Sequence, residues 1–267
     1  MNKQVMQNNK SQSIIMSNED VQDIEIKKST HEFVMDENFF DLYRNCPIPE
    51  EEKLNHLGLF LKRQSMSRII FMYELYKKII DVHGVIIEFG VRWGQNLALF
   101  ESFRGMLEPY NYNRKIIGFD SFEGFPDVSC KDKPELHQRG EMNVSKNYKE
   151  YLEKILTSHE NMSPLSHMKK FDLRRGDATK TFEKYLNEHP ETIIAFAYFD
   201  FDIYEPTKVC LELCKNRFTK GSIIGFDELN HADWPGETLA VKEVLGLEKI
   251  RIQRMPFNPT TSFIVVE

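Results

Sequence analysis

The chain has 267 residues, of which 41% are hydrophobic and 28% charged, with a formal net charge of −6; this is the make-up of one globular α/β domain with embellishments, or of two small ones. An acidic balance offers no attraction to nucleic acid or to an anionic membrane, both of which reward a basic surface, so a cytoplasmic protein acting on small molecules is expected. The opening MNKQVMQNNKSQS lacks the apolar core of a secretion signal, and no apolar run reaches the roughly 18 residues that a membrane-crossing helix needs.

In chain order, residues 1–30 are rich in Asn, Gln, Ser, Lys and acids and read as a polar, poorly ordered arm. Residues 31–82 read as a helical cap. In Arg68–Ile80 (RIIFMYELYKKII) apolar positions recur every three or four residues, which marks an amphipathic helix. Such helices are natural interface material for a homo-oligomer, with the oligomeric state itself left open by the sequence. From 83 to 267, short apolar runs alternate with helical segments. The runs are VIIEF (85–89), KIIGF (115–119), IIAFAYF (193–199) and SIIGF (222–226), with a weaker one at 170–175. The intervening helices fall near 94–107, 146–157, 179–188, 206–217 and 236–246. Continuous rather than alternating hydrophobicity implies strands covered on both faces, hence a parallel sheet with crossover helices. Residues 249–255 and 261–267, separated by PFNPT, read as a closing antiparallel hairpin. The expected fold is a three-layer, doubly wound, mostly parallel sheet of about seven strands. Cys46, Cys130, Cys210 and Cys214 show no Cys-x-x-Cys spacing and are expected to be buried or free thiols.

Ligands of doubly wound sheets collect at the C-terminal strand edge, and acids cluster there in this sequence. Glu88 lies near the end of the first run, Asp120 follows the second, Asp200 and Asp202 the third, and Asp227 and Glu228 the fourth. A dinucleotide fingerprint wants Gly-x-Gly-x-x-Gly, whereas this chain has Glu88-x-Gly90-x-x-x-Gly94. An acid ahead of the turn repels a pyrophosphate but suits a ligand with a cationic or hydroxylated group. S-adenosylmethionine (SAM) carries an ammonium, a sulfonium and a ribose, and Asp120 offers two acceptor oxygens for ribose hydroxyls.

Four stretches taken together resemble the macrocin O-methyltransferase family of sugar O-methyltransferases. They are Glu88–Gly94 (EFGVRWG), Gly118–Pro126 (GFDSFEGFP), Asp200–Thr207 (DFDIYEPT) and Gly221–Glu228 (GSIIGFDE). The resemblance spans roughly residues 68–245. It implies a class I methyltransferase fold with SAM contacts at Glu88, Phe89, Gly90, Gly94, Asp120 and Ser121, and an acid near the adenine at Asp177. It also implies a magnesium site at Asp200 or Asp202 with Asp227 and Glu228, although Glu228 stands where the family tends to carry a second aspartate. The implied acceptor is a hydroxyl of a sugar or sugar nucleotide, of natural-product or surface-polysaccharide type.

The chemistry agrees. An alcohol is a poor nucleophile until its proton is removed or its oxygen polarised, and a hard cation held by a few carboxylates does the latter. A general base is still wanted. The candidates are whichever of Asp200 and Asp202 does not serve the metal, and His231 in the loop after Asp227. Arg92, Trp93, Tyr204 and Trp234 are candidates to face the acceptor, and the polar segment 127–143 reads as a loop over the site. Two alternatives remain open at this point. One is a glycosyltransferase that uses Asp200-Phe-Asp202 as an Asp-x-Asp metal motif, and the other is a binding protein that keeps the fold without the chemistry.

Overall fold

A computed structural model describes residues 29–267, so the arm expected over residues 1–30 lies outside the described residues except for its last two. The helices are α1 (Thr30–Arg44), α2 (Glu50–Asn55), α3 (Arg63–Lys78), α4 (Gln95–Leu107), α5 (Tyr148–Asn161), α6 (Ala178–Glu188), α7 (Tyr204–Cys214) and α8 (Gly236–Val244). The strands are β1 (Val85–Phe89), β2 (Ile116–Asp120), β3 (Phe171–Arg175), β4 (Ile194–Phe199), β5 (Phe218–Phe226), β6 (Gln253–Met255) and β7 (Asn258–Val265). They form one seven-stranded sheet in the order β3-β2-β1-β4-β5-β7-β6. The first five in that order pair in parallel, and β7 joins β5 and β6 antiparallel. This is the doubly wound, mostly parallel seven-stranded sheet read from the apolar runs, with the closing hairpin in place.

The runs are continuously apolar because both faces of the sheet are covered. Ile86, Ile116, Phe196 and Tyr198 pack with Phe71, Leu75 and Tyr76 of α3, Phe100 of α4 and Leu152 of α5. The alternate residues Ile87, Ile117, Ala197 and Ile224 pack with Phe182 of α6, Leu211 of α7 and Val241 of α8. Helix α3 is therefore part of a sheet-covering layer. By contrast α1 buries no residue and exposes Phe33, Phe40 and Leu42.

One feature of the register positions the site. Phe119, Phe89, Phe199 and Phe226 lie side by side across four strands, with neighbouring ring centroids 5.5, 4.8 and 5.4 Å apart. Such aromatic pairs contribute about 0.5–1.5 kcal/mol each beyond their buried area. The next residue of each chain segment is Asp120, Gly90, Asp200 and Asp227, and by strand alternation it faces the opposite layer, that of α3. A row of rings on one face thus sets a row of acids on the other.

Arg114 ties the base of this layer together. Fully buried, it donates to the carbonyls of Gly84 at 2.6 Å and Ile79 at 2.8 Å and pairs with Glu108, which also accepts from the Tyr76 hydroxyl and Asn111 Nδ2. A second buried network joins Arg104 and Lys170 to Glu160. Glu101 lies beside it, and neither of its carboxylate oxygens has a hydrogen-bond partner among the described residues. Burial, with the Glu160 charge adding and Arg104 and Lys170 opposing, lifts its pKa to about 8. The native state therefore keeps a proton that the unfolded chain releases above its ordinary value of 4.5, so this group erodes stability as pH rises between those two values. Glu101→Gln should accordingly gain stability relative to the parent as pH rises from about 5 to 8 in chemical denaturation; a difference between the two proteins that is constant with pH contradicts this.

Candidate active site

At the C-terminal ends of β1, β2, β4 and β5 opens a cavity of about 640 Å³, lined among others by Glu88, Asp120, Asp177, Asp200, Asp202 and Asp227. The turn leaving β1 forms one wall. Gly90 and Gly94 hold φ of 85° and 76°, the left-handed region that favours glycine. A Cβ on Gly90 would stand 1.9 Å from the Asp200 carbonyl oxygen, and one on Gly94 would stand 2.5 Å from Leu152 Cδ1. Both glycines are thus needed so that β4 and α5 can approach the turn, whatever the backbone does toward a ligand.

Glu88 is 1% exposed. Its Oε1 accepts from Asn96 Nδ2 at 2.7 Å, and its Oε2 has no hydrogen-bond partner among the described residues. Burial pushes its pKa well above the usual carboxylate range, opposed by the Asn96 amide and reinforced by the Asp200 charge. A carboxylate in this state gains most from a cationic donor. Asp120 Oδ2 accepts from the amides of Val91 at 2.7 Å and Arg92 at 2.8 Å, and its Oδ1 from that of Phe122 at 2.5 Å. It therefore stitches the β1 turn to the β2 turn, and of its roughly four lone-pair sites one, on Oδ1, is left for a ligand.

The other predicted residues divide. Ser121 lines the cavity and closes its own turn by donating to the Gly124 carbonyl at 2.9 Å. Asp177, at the edge, caps α6 by accepting from Thr179 N at 3.0 Å. Phe89 belongs to the ring row and is not in the cavity wall, where it was expected to touch cofactor; its carbonyl accepts from Asp200 N at 2.8 Å. His231 is exposed in a turn, where its Nδ1 accepts from Asp233 N at 3.3 Å, and it does not line the cavity, so the geometry does not bring it to the expected base position. Arg92 and Trp93 line the cavity, with Trp93 set edge-on to Tyr148. Tyr204 and Trp234 do not.

The acidic cluster holds a residue that local patterning missed. Arg68, near the start of α3, donates Nη1 to Asp227 Oδ1 and Nη2 to Asp200 Oδ2, each at 2.6 Å. Tyr198 also donates its hydroxyl to Asp227 Oδ1 at 2.6 Å. Asp202 is buried beside them with a strained φ of 63°. Glu237, from α8, is fully buried, and its Oε2 accepts from Glu228 N. Glu228 Oε2 and Glu237 Oε1 have no hydrogen-bond partner among the described residues. Burial first, and then mutual repulsion, raises Asp200 to about 7 and Glu228 to about 8. Among the described residues no three acids, histidines or cysteines converge as metal ligands. A guanidinium stands between Asp200 and Asp227, so two of the three expected ligands are held in ion pairs with Arg68, and the third, Glu228, is not among its partners.

The segment after β2 gives Phe125, Pro126, Arg139, Gly140 and Met142 to the cavity wall and is anchored at two points. Buried Asp132 accepts from Tyr204 N at 2.6 Å. His137 stacks on Trp234 at 3.5 Å between centroids and contacts the Asp233 carbonyl at 2.9 Å.

The family model for macrocin O-methyltransferases matches residues 66–251. The chain belongs to this family. As a methyltransferase of this kind it uses SAM and transfers a methyl group to oxygen. Among solved structures it is similar to the calicheamicin methyltransferase CalS11, at 42% identity and TM-score 0.86, over 90% of this chain and 94% of that one. The apo structure of CalS11, described as a TDP-rhamnose 3′-O-methyltransferase, aligns at 39% identity and TM-score 0.79, over 90% and 96%. The O-methyltransferase NovP, at 18% identity and TM-score 0.60 over 88% and 98%, shares the fold. A comparison with curated proteins finds no match. Family membership removes the glycosyltransferase alternative, because the acids at 200 and 202 sit on a methyltransferase sheet.

Since overpacking of a filled site costs about 1–3 kcal/mol, Gly90→Ala in this methyltransferase should displace Asp200 and weaken S-adenosylhomocysteine binding about tenfold or more in calorimetry. Parental affinity in the folded variant contradicts this account of the turn.

Proposed function

We propose that the chain methylates a hydroxyl of a sugar carried on a nucleotide. The single observation that carries this reading is the adjacency, in one cavity, of two unlike acidic stations. Glu88 presents an unpaired buried carboxylate oxygen at the β1 turn, and Asp200, Asp202 and Asp227 line the same space from β4 and β5. The first suits the ammonium of the SAM methionine, and the second suits a polyhydroxylated acceptor. A nucleotide-linked sugar is supported by the similarity to CalS11, whose description names TDP-rhamnose.

In the reaction the acceptor oxygen attacks the methyl carbon in line with the sulfur. The C–O bond forms as the C–S bond breaks, the bonding pair leaves on sulfur, and the hydroxyl proton passes to a base. Asp202 is our assignment for that base. It is buried in the cavity wall, and burial together with the Asp200 charge raises its proton affinity well above the ordinary carboxylate value. Glu88 and Asn96 orient the methionine end, Asp120 and Asp177 the adenosyl end. The segment pinned by Asp132 and His137 keeps water from the sulfonium.

Asp200, Asp227 and Glu228 would hold a magnesium ion. Their all-oxygen donor chemistry suits it, and the unpaired oxygens of Glu228 and Glu237 are those of a site with more negative charge than Arg68 balances. Such an ion supplies positive charge to the acceptor oxygen and lowers the cost of its deprotonation.

Transfer of labelled methyl from SAM should proceed to TDP-rhamnose and not to free rhamnose; product from the free sugar alone contradicts the nucleotide-linked acceptor. Asp202→Asn should lower kcat by about 10²–10⁴, and Asp227→Ala should abolish turnover. Both should leave S-adenosylhomocysteine affinity within about threefold of the parent, under 1 kcal/mol. Equal loss of binding and turnover contradicts the division between cofactor and acceptor stations.

A further inference from the structure

The Asp200–Asp227 gap is bridged by a cation that belongs to the protein. Arg68 reaches it from α3, across 132 residues of sequence to Asp200 and 159 to Asp227. Each of two guanidinium nitrogens takes one carboxylate, Asp200 Oδ2 and Asp227 Oδ1, at 2.6 Å. The guanidinium carbon also lies 5.7 Å from the Tyr198 ring centroid, and the hydroxyl of that ring holds the same Asp227 oxygen. Around this contact stand Asp202 and Glu237, both buried, and Glu228. Arg68 is thus the direct counter-charge for the two strand-end aspartates.

A divalent ion at this place draws on the same two carboxylates, each of which gives one oxygen to Arg68. Magnesium demands its ligands at about 2.0–2.1 Å in near-octahedral order, whereas the guanidinium fork keeps the two carboxylates on separate nitrogens. Two cations sharing one pair of carboxylates would also repel across a few ångströms of poorly screened space. A metal drawn onto these carboxylates therefore competes with Arg68 for their charge and for their orientation.

We propose that Arg68 and a divalent cation are alternative occupants of the Asp200–Asp227 gap, so that metal entry displaces the Arg68 guanidinium and frees the start of α3. This rests on the metal reading of the proposed function and adds that the protein's own residue competes with the metal. In the metal-free state Arg68 neutralises the aspartates and fastens α3 to the edge of the sheet. In the loaded state that fastening is exchanged for the metal, and the released guanidinium faces the acceptor cavity that it already lines. Metal affinity and the order of the first turns of α3 are then two readings of one equilibrium.

The test uses the full chain and MnCl2 as probe, with binding followed by the loss of the free-ion electron paramagnetic resonance signal. Because a competitor lowers apparent affinity by the fraction of time that it holds the site, Arg68→Met should bind Mn²⁺ about tenfold or more tightly than the parent. Arg68→Lys, which keeps the charge, should stay closer to the parent. Parent protein followed by hydrogen exchange serves without any variant: Mn²⁺ should speed exchange in the α3 peptides near Arg68 while slowing it around Asp227. Equal or weaker Mn²⁺ binding by Arg68→Met, or α3 protection that rises or is unchanged with Mn²⁺, overturns the competition and leaves the metal reading intact. Failure of parent and variant alike to bind Mn²⁺ overturns both.

Discussion

The site depends on strand register. Parallel pairing brings Phe119, Phe89, Phe199 and Phe226 onto one line, stacked and buried. Once those rings are aligned, Asp120, Asp200 and Asp227 have no freedom to be elsewhere. Side-chain alternation turns them to the opposite face at a common height, and a one-residue slip in any strand would break both rows together. The hydrophobic layer thereby supplies the energy that forces like charges into proximity. This is how a fold sustains a cluster that would repel itself in isolation.

What that concentration of charge costs is visible around it. Asp202, Arg92 and Phe122 all take positive φ at the strand ends, and strained backbone persists where surrounding packing over-determines it. Asp120 is hydrogen-bonded by three backbone amides, Glu88 by the Asn96 side chain, and the Asp200–Asp227 pair is countered by the Arg68 charge and the Tyr198 hydroxyl. The three solutions differ in kind. Backbone amides cannot leave, so Asp120 is a fixed part of the turn. A single side-chain amide leaves Glu88 under-satisfied and receptive to a cationic ligand, and a long, flexible arginine can be exchanged.

Much of this was legible in the sequence, because the relevant signals are local. Doubly covered strands read as uninterrupted apolar runs, and the acids at their ends mark the ligand edge, so the sheet and the positions of Glu88, Asp120, Asp200, Asp202 and Asp227 followed directly. Arg68 did not. It opens a helix whose periodicity announces only amphipathicity, and its partners lie 132 and 159 residues away. The glycines were legible as a turn, but the Asp200 carbonyl and Leu152 that require them belong to other elements. Phe89 and His231 were read from their neighbours in the chain, and burial separates both from the cavity in opposite senses. Phe89 lies inside the core and His231 outside on the surface.

In the proposed function Glu88 receives the methionine end of SAM beside the acidic edge where the acceptor is methylated. A crystal structure with S-adenosylhomocysteine measures this directly. The amino group of the ligand should lie within about 3 Å of Glu88 Oε2, with the ribose toward Asp120 and the sulfur facing the side of the cavity lined by Asp200 and Asp202. A ligand whose amino group lies away from Glu88, or whose sulfur faces away from those aspartates, contradicts it.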